Sequence, residues 1–131
     1  MNTQTMPHIL HIEDNADISL IVAKILSNIA NITHVDSLAQ ARRKLAERDY
    51  DLAILDLVLP DGSGLDLVRE LKQKQPPVPV IIHSAHEVAE TIHDVDTVLS
   101  KMHTIHEDFR TIVLQLTGRQ HPQAARKSAQ Q

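Results

Sequence analysis

Apolar positions along this chain alternate between short unbroken runs and stretches in which they recur every three to four residues. Ile9, Leu10 and Ile12 form the first run, ended by Glu13-Asp14, as a buried strand would be. Ile18, Ile21, Val22, Ile25, Leu26 and Ile29 then recur at helical spacing and predict an amphipathic helix over about 16–29. A weaker strand pattern covers 32–35. Ser37-Leu38-Ala39-Gln40 fits a capping box, and Leu38, Ala41 and Leu45 line one face of the helix expected to run on to about Arg48. The next strand is predicted over 51–56. Beyond the turn Pro60-Asp61-Gly62-Ser63-Gly64, whose glycines allow positive φ, Leu65, Val68 and Leu71 mark a third helix ending before Pro76-Pro77. A continuous apolar strand follows at 78–84, then a short, poorly patterned helix at about 86–92 and a fifth strand at 95–100 reaching Lys101. Ile105, Phe109, Ile112, Val113 and Leu116 predict a last helix to about Thr117, where Gly118 stops it.

Strand and helix alternate five times, which calls for a doubly wound α/β fold with a parallel sheet covered by helices on both faces. The unbroken apolar strands agree, since a parallel sheet is buried on both sides. At 131 residues, 42% apolar and 23% charged, the chain is expected to form one globular domain over 1–117, followed by a disordered basic tail or the start of a linker over 118–131. Tyr50 and Phe109 are the only aromatics. The core must be aliphatic, and no aromatic platform exists for stacking single-stranded nucleic acid.

Charge narrows the partners. Residues 1–117 hold ten Lys+Arg against seventeen Asp+Glu, or −7, while 118–131 carry Arg119, Arg126 and Lys127 with no acid, or +3. The folded part should repel DNA phosphates. No apolar stretch approaches the roughly 20 residues of a membrane span, and the first residues lack the pattern of a signal peptide, so a cytoplasmic address is the expectation. The chain has no cysteine, which excludes disulfides and thiolate metal sites.

The candidate chemistry lies at the strand ends. In a parallel sheet the carboxyl ends of neighbouring strands open onto one crevice, so Glu13, Asp14 and Asp56 can meet there. Such a cluster is costly unless a cation or proton neutralises it, and a hard divalent ion on oxygen ligands beside one reactive carboxylate is the leading expectation. Among nine histidines, His83/His86 and His103/His106 have i, i+3 spacing. Neither pair comes with a Cys or a carboxylate to complete a tetrahedral zinc site, so solvated histidines titrating near neutral pH are expected. A haloacid-dehalogenase phosphatase would need a second Asp two residues beyond Asp56, where Val58 stands. With no second nucleophile, general base or Gly-rich phosphate loop visible, an enzyme acting on its own small substrate is not expected.

Five motifs in order at strand ends, Glu13-Asp14, Asp56, the Pro60–Gly64 turn, Ser84-Ala85 and Lys101, closely resemble the receiver domain of bacterial two-component response regulators over about residues 8–117. The resemblance implies flavodoxin-like strand order 2-1-3-4-5 and phosphorylation of Asp56 by a histidine kinase. Glu13, Asp14, Asp56 and the backbone carbonyl of Val58 would hold Mg²⁺, Lys101 would supply a point charge to one phosphoryl oxygen, and Ser84 a hydroxyl donor to another. The implied partners are a histidine kinase or phosphotransfer protein and a downstream protein, with no direct DNA or membrane contact. With 14 residues after the last helix no DNA-binding output domain is expected, whether as a single-domain regulator or the amino-terminal receiver of a larger chain.

Three departures fall in the last third. Lys101 lies seventeen positions after Ser84, so the fourth helix should be short or irregular. Val98 stands where such receivers place a switch Tyr or Phe, and Met102 where a cis-proline follows the lysine, so a trans bond is expected there. These departures raise an alternative, a receiver-like interaction module independent of phosphorylation. Val58 and His86, two residues beyond Asp56 and Ser84, occupy the positions that flank the hydrolytic water in receivers and imply a long-lived acyl phosphate.

Overall fold

A computed structural model of the protein describes residues 6–84, 96–101 and 106–118. The elements are β1 (His8–Ile12), α1 (Ala16–Leu26), β2 (Asn31–Val35), α2 (Leu38–Glu47), β3 (Leu52–Leu55), β4 (Val58–Leu59), β5 (Gly62–Ser63), α3 (Gly64–Lys72), β6 (Val80–Ser84), β7 (Thr97–Ser100) and α4 (His106–Leu116). β2-β1-β3-β6-β7 form a parallel five-stranded sheet in that order, the doubly wound order expected. The expected helix at 86–92, the start of the fifth strand at Val95, the Lys101-Met102 bond and the tail from Arg119 lie outside the described residues.

Strand alternation divides the buried side chains between two layers. Leu10 and Ile12 of β1 face one side with Ala53, Leu55, Val80 and Ile82, where α2 contributes Leu38, Ala41 and Leu45 and α3 contributes Leu67 and Leu71. Ile9 faces the other side with Leu52, Ile54 and Ile81, under Val22 and Leu26 of α1 and Phe109 and Val113 of α4. The apolar side chains of both layers are aliphatic apart from Tyr50 and Phe109, as the composition requires.

Several boundaries differ from the sequence pattern for identifiable reasons. α1 ends at Leu26 rather than Ile29, because the N–H groups of Ile29 and Ala30 both turn back to the Leu26 carbonyl. β6 begins at Val80 rather than Val78. Val78 N–H bonds the Leu71 carbonyl and closes α3, while Pro77 and Pro79 have no N–H to give a ladder. The segment after Asp56, expected as a plain turn, pairs as the antiparallel hairpin β4–β5. Gly62 takes positive φ (148°), but Gly64 does not. Gly64 is needed for space, since a Cβ there would collide with the Asp56 carbonyl oxygen and Leu55 Cδ1. At the end of α4, Gly118 adopts φ 71°, the expected helix stop.

The α2 cap is shared with the β4–β5 turn. Ser37 Oγ accepts from Gln40 N–H at 3.2 Å as expected, but Gln40 Oε1 returns to Asp36 N–H rather than to Ser37. Asp61 accepts from the N–H groups of Leu38 (2.8 Å) and Ala39 (3.0 Å), which hold its carboxyl below the usual range. A depressed carboxyl pKa contributes stability above the unfolded value and loses it as pH falls through the folded one. Asp61→Asn should therefore lower the melting temperature at pH 7, with the difference shrinking as pH drops below 3.8. Thermal melts across pH 2–7 check this, and a difference that does not depend on pH would contradict it.

Candidate functional site at the carboxyl ends of the strands

Backbone ladders carry the candidate residues past the ends of their strands. Glu13 N–H bonds the Val35 carbonyl (2.9 Å), Asp56 N–H the Ile12 carbonyl (3.1 Å) and Lys101 N–H the Ser84 carbonyl (2.9 Å). Each side chain is thus placed by sheet hydrogen bonding rather than by a free loop. Asn15 begins α1 beside them, its Oδ1 accepting from Asp17 and Ile18 N–H while its own N–H donates to Glu13 Oε2 at 3.1 Å.

One carboxylate oxygen from each of Glu13, Asp14 and Asp56 lies within 4.8 Å of the others. Glu13 and Asp56 are buried and Asp14 is exposed, so the cluster opens to solvent on one side. Lys101 Nζ sits 2.6 Å from Glu13 Oε1 and 3.0 Å from Asp56 Oδ2. Burial pushes the Glu13 carboxyl up against the opposing pull of Lys101. Burial likewise disfavours the Lys101 charge, but hydrogen bonds to Glu13 and Asp56 outweigh it and raise its pKa. Fully ionised, three carboxylates and one ammonium leave −2, and an all-oxygen donor set with that charge fits a hard dication such as Mg²⁺.

Val58, in β4, donates its N–H to Asp56 Oδ1 at 3.3 Å, and its side chain is exposed. Ser84 is fully buried at the end of β6, two residues beyond Ile82, which pairs with Leu55. Val98 on β7 is 42% exposed, a small side chain at the surface of the strand that leads to Lys101. The Ala85 and His86 positions lie outside the described residues.

The expectation that the histidines are solvated fails at two positions. His11 and His83 are buried, on the α1/α4 side of the sheet below Glu13 and Asp56. Burial lowers the His11 pKa to about 3 and the His83 pKa to about 4, with nearby positive charge adding to both shifts. His34, next to His11 in register, donates Nε2–H to the Glu13 carbonyl at 2.7 Å. The i, i+2 alternation of His11 with Ile9 was the available signal for the first of these.

The response regulator receiver domain family matches this chain over residues 9–107. The transcriptional regulatory protein CssR of Bacillus subtilis is 38% identical over 89 residues, which cover 67% of this chain and 37% of CssR. The chain therefore spans little more than a third of that relative. The signal receiver domain of a LuxO repressor protein from Vibrio parahaemolyticus is 26% identical with a TM-score of 0.79, over 88% of this chain and 92% of that one. The receiver domain of a Pseudomonas aeruginosa sensor histidine kinase, with magnesium coordinated in its active-site cleft, has a TM-score of 0.75 at 22% identity, over 87% and 99% of the two chains.

Proposed function

The chain belongs to the response regulator receiver domain family of two-component systems, and from that premise we propose that it is a phosphoacceptor whose reactive group is the Asp56 carboxylate. The observation that carries this reading is the approach of Lys101 Nζ to both Glu13 and Asp56 beside the exposed Asp14. An Asp56 oxygen attacks the phosphorus of a phosphohistidine on a histidine kinase or phosphotransfer protein. The new O–P bond forms as the P–N bond breaks, and the electron pair leaves with the imidazole.

Little covalent work falls to the protein in such a transfer, so positioning and charge dominate. Mg²⁺ held by Glu13, Asp14, Asp56 and the Val58 carbonyl would supply the neutralising charge. Lys101 stabilises one phosphoryl oxygen and the Ser84 hydroxyl donates to another. Output then passes to a protein partner, the acidic balance of residues 1–117 disfavouring DNA. In this reading residues 1–117 are the receiver, 118–131 a tail or linker, and the address cytoplasmic. Among the described residues no helix is long and apolar enough to cross a membrane.

The test is intact mass after incubation with a small acyl-phosphate donor. One added phosphate is expected with Mg²⁺, and none with a chelator or in Asp56→Asn. Equal labelling of Asp56→Asn would overturn the assignment. The exposed Val58 side chain offers no hydrogen bond to a hydrolytic water, so Val58→Asn should shorten the acyl-phosphate lifetime. Phosphate loss followed by mass against time checks this, and an unchanged rate would contradict it.

A further inference from the structure

Below the acidic cluster, on the α1/α4 side of the sheet, an aliphatic layer is interrupted by two imidazoles. His11 lies two residues beyond Ile9 on β1, and His83 two beyond Ile81 on β6. His11 is 1% exposed, and neither of its ring nitrogens has a hydrogen-bond partner among the described residues. His83 is 5% exposed and its Nδ1 is likewise unpartnered, while its ring packs edge-on against Phe109 at 5.2 Å. Buried polar atoms left unpaired are costly, and leucine or isoleucine would avoid that cost at either position. Something is expected to satisfy them.

Glu13 supplies the third side of the arrangement. One ligand atom from each of His11, Glu13 and His83 lies within 4.8 Å of the others. Two imidazoles and a carboxylate make a nitrogen-rich donor set unlike the all-oxygen cluster above it, and it suits a borderline d-block ion better than Mg²⁺. A neutral imidazole has one ring nitrogen with a lone pair to give a metal. Bonds of about 2.0–2.2 Å would require the donors to close by roughly an ångström.

We propose that His11, His83 and Glu13 form a buried site for a zinc-class divalent ion, with a water in the fourth position. The proposal needs no phosphoryl chemistry. It shares Glu13 with the proposed magnesium ligands, so an ion there draws on a carboxylate the upper cluster also uses.

Cobalt(II) is the probe, titrated into the chelator-treated full chain and followed by visible absorption. One equivalent should give the intense bands of four-coordinate cobalt, displaced by Zn²⁺. His11→Leu and His83→Leu should each abolish the bands and weaken Zn²⁺ binding by more than about 10-fold, the lower end of what even outer-shell changes cost. His103→Gln/His106→Gln should keep them. Imidazole ¹⁵N spectra of the parent protein serve if a leucine variant fails to fold, with Zn²⁺ shifting His11 and His83 resonances. Absence of the four-coordinate spectrum in the parent, its survival in both leucine variants, its loss in the His103/His106 variant, or unshifted His11 and His83 resonances would each overturn the proposal.

Discussion

Gly64→Ala should lower the melting temperature by roughly 10 °C, corresponding to about 3 kcal/mol in a domain of this size. The added methyl would meet the Asp56 carbonyl oxygen and Leu55 Cδ1. The leucine can rotate away, but the carbonyl belongs to the backbone that places Asp56. Gly64 N–H also bonds the Leu57 carbonyl at 2.9 Å, which ties the start of α3 to the same loop. Relief of the collision must therefore move α3 or Asp56. A shift of about 1 Å at a reacting group can cost about 10²-fold in rate, so phosphorylation should slow as well. Thermal melts and mass-detected phosphorylation check both effects. A melting temperature within about 2 °C of the parent would show that the loop yields more easily than the geometry implies.

Lys101→Met should slow Mg²⁺-dependent phosphorylation by roughly 100-fold or more, the usual effect of removing one group that stabilises developing oxyanion charge. Methionine keeps the apolar stem while removing the ammonium that lies within 3.0 Å of both Glu13 and Asp56. Without metal, the variant leaves two buried carboxylates beside each other. Breaking a buried pair costs about 3–5 kcal/mol, and the low end is expected because Glu13 can take up a proton instead. Magnesium should restore part of the lost stability by binding only the folded state. Melts with and without Mg²⁺ measure this, and a variant as stable and reactive as the parent would remove Lys101 from the site.

The strand order and the acidic cluster were legible because both follow from simple rules. Continuous apolar runs separated by helices impose a parallel sheet, and parallel strands deliver Glu13, Asp56 and Lys101 to one edge. Ser37 was legible as a cap for the same local reason. Other features depend on contacts distant in sequence. Asp61 caps α2 from 22 residues beyond Ala39, and Gly64 is constrained by the Asp56 backbone rather than by its own φ. The burial of His11 and His83 was missed because a histidine inside an apolar run does not itself declare which layer covers it. Only the sheet register and the positions of α1 and α4 decide that.

Reduction of the phosphorylated protein with borohydride tests the central claim most directly, because it converts an aspartyl phosphate to homoserine and marks the position permanently. After Mg²⁺-dependent phosphorylation and reduction, peptide mass mapping should find homoserine at position 56 and aspartate unchanged at positions 14 and 61. Homoserine at another position, or phosphate retained on a histidine with Asp56 unmodified, would contradict the account.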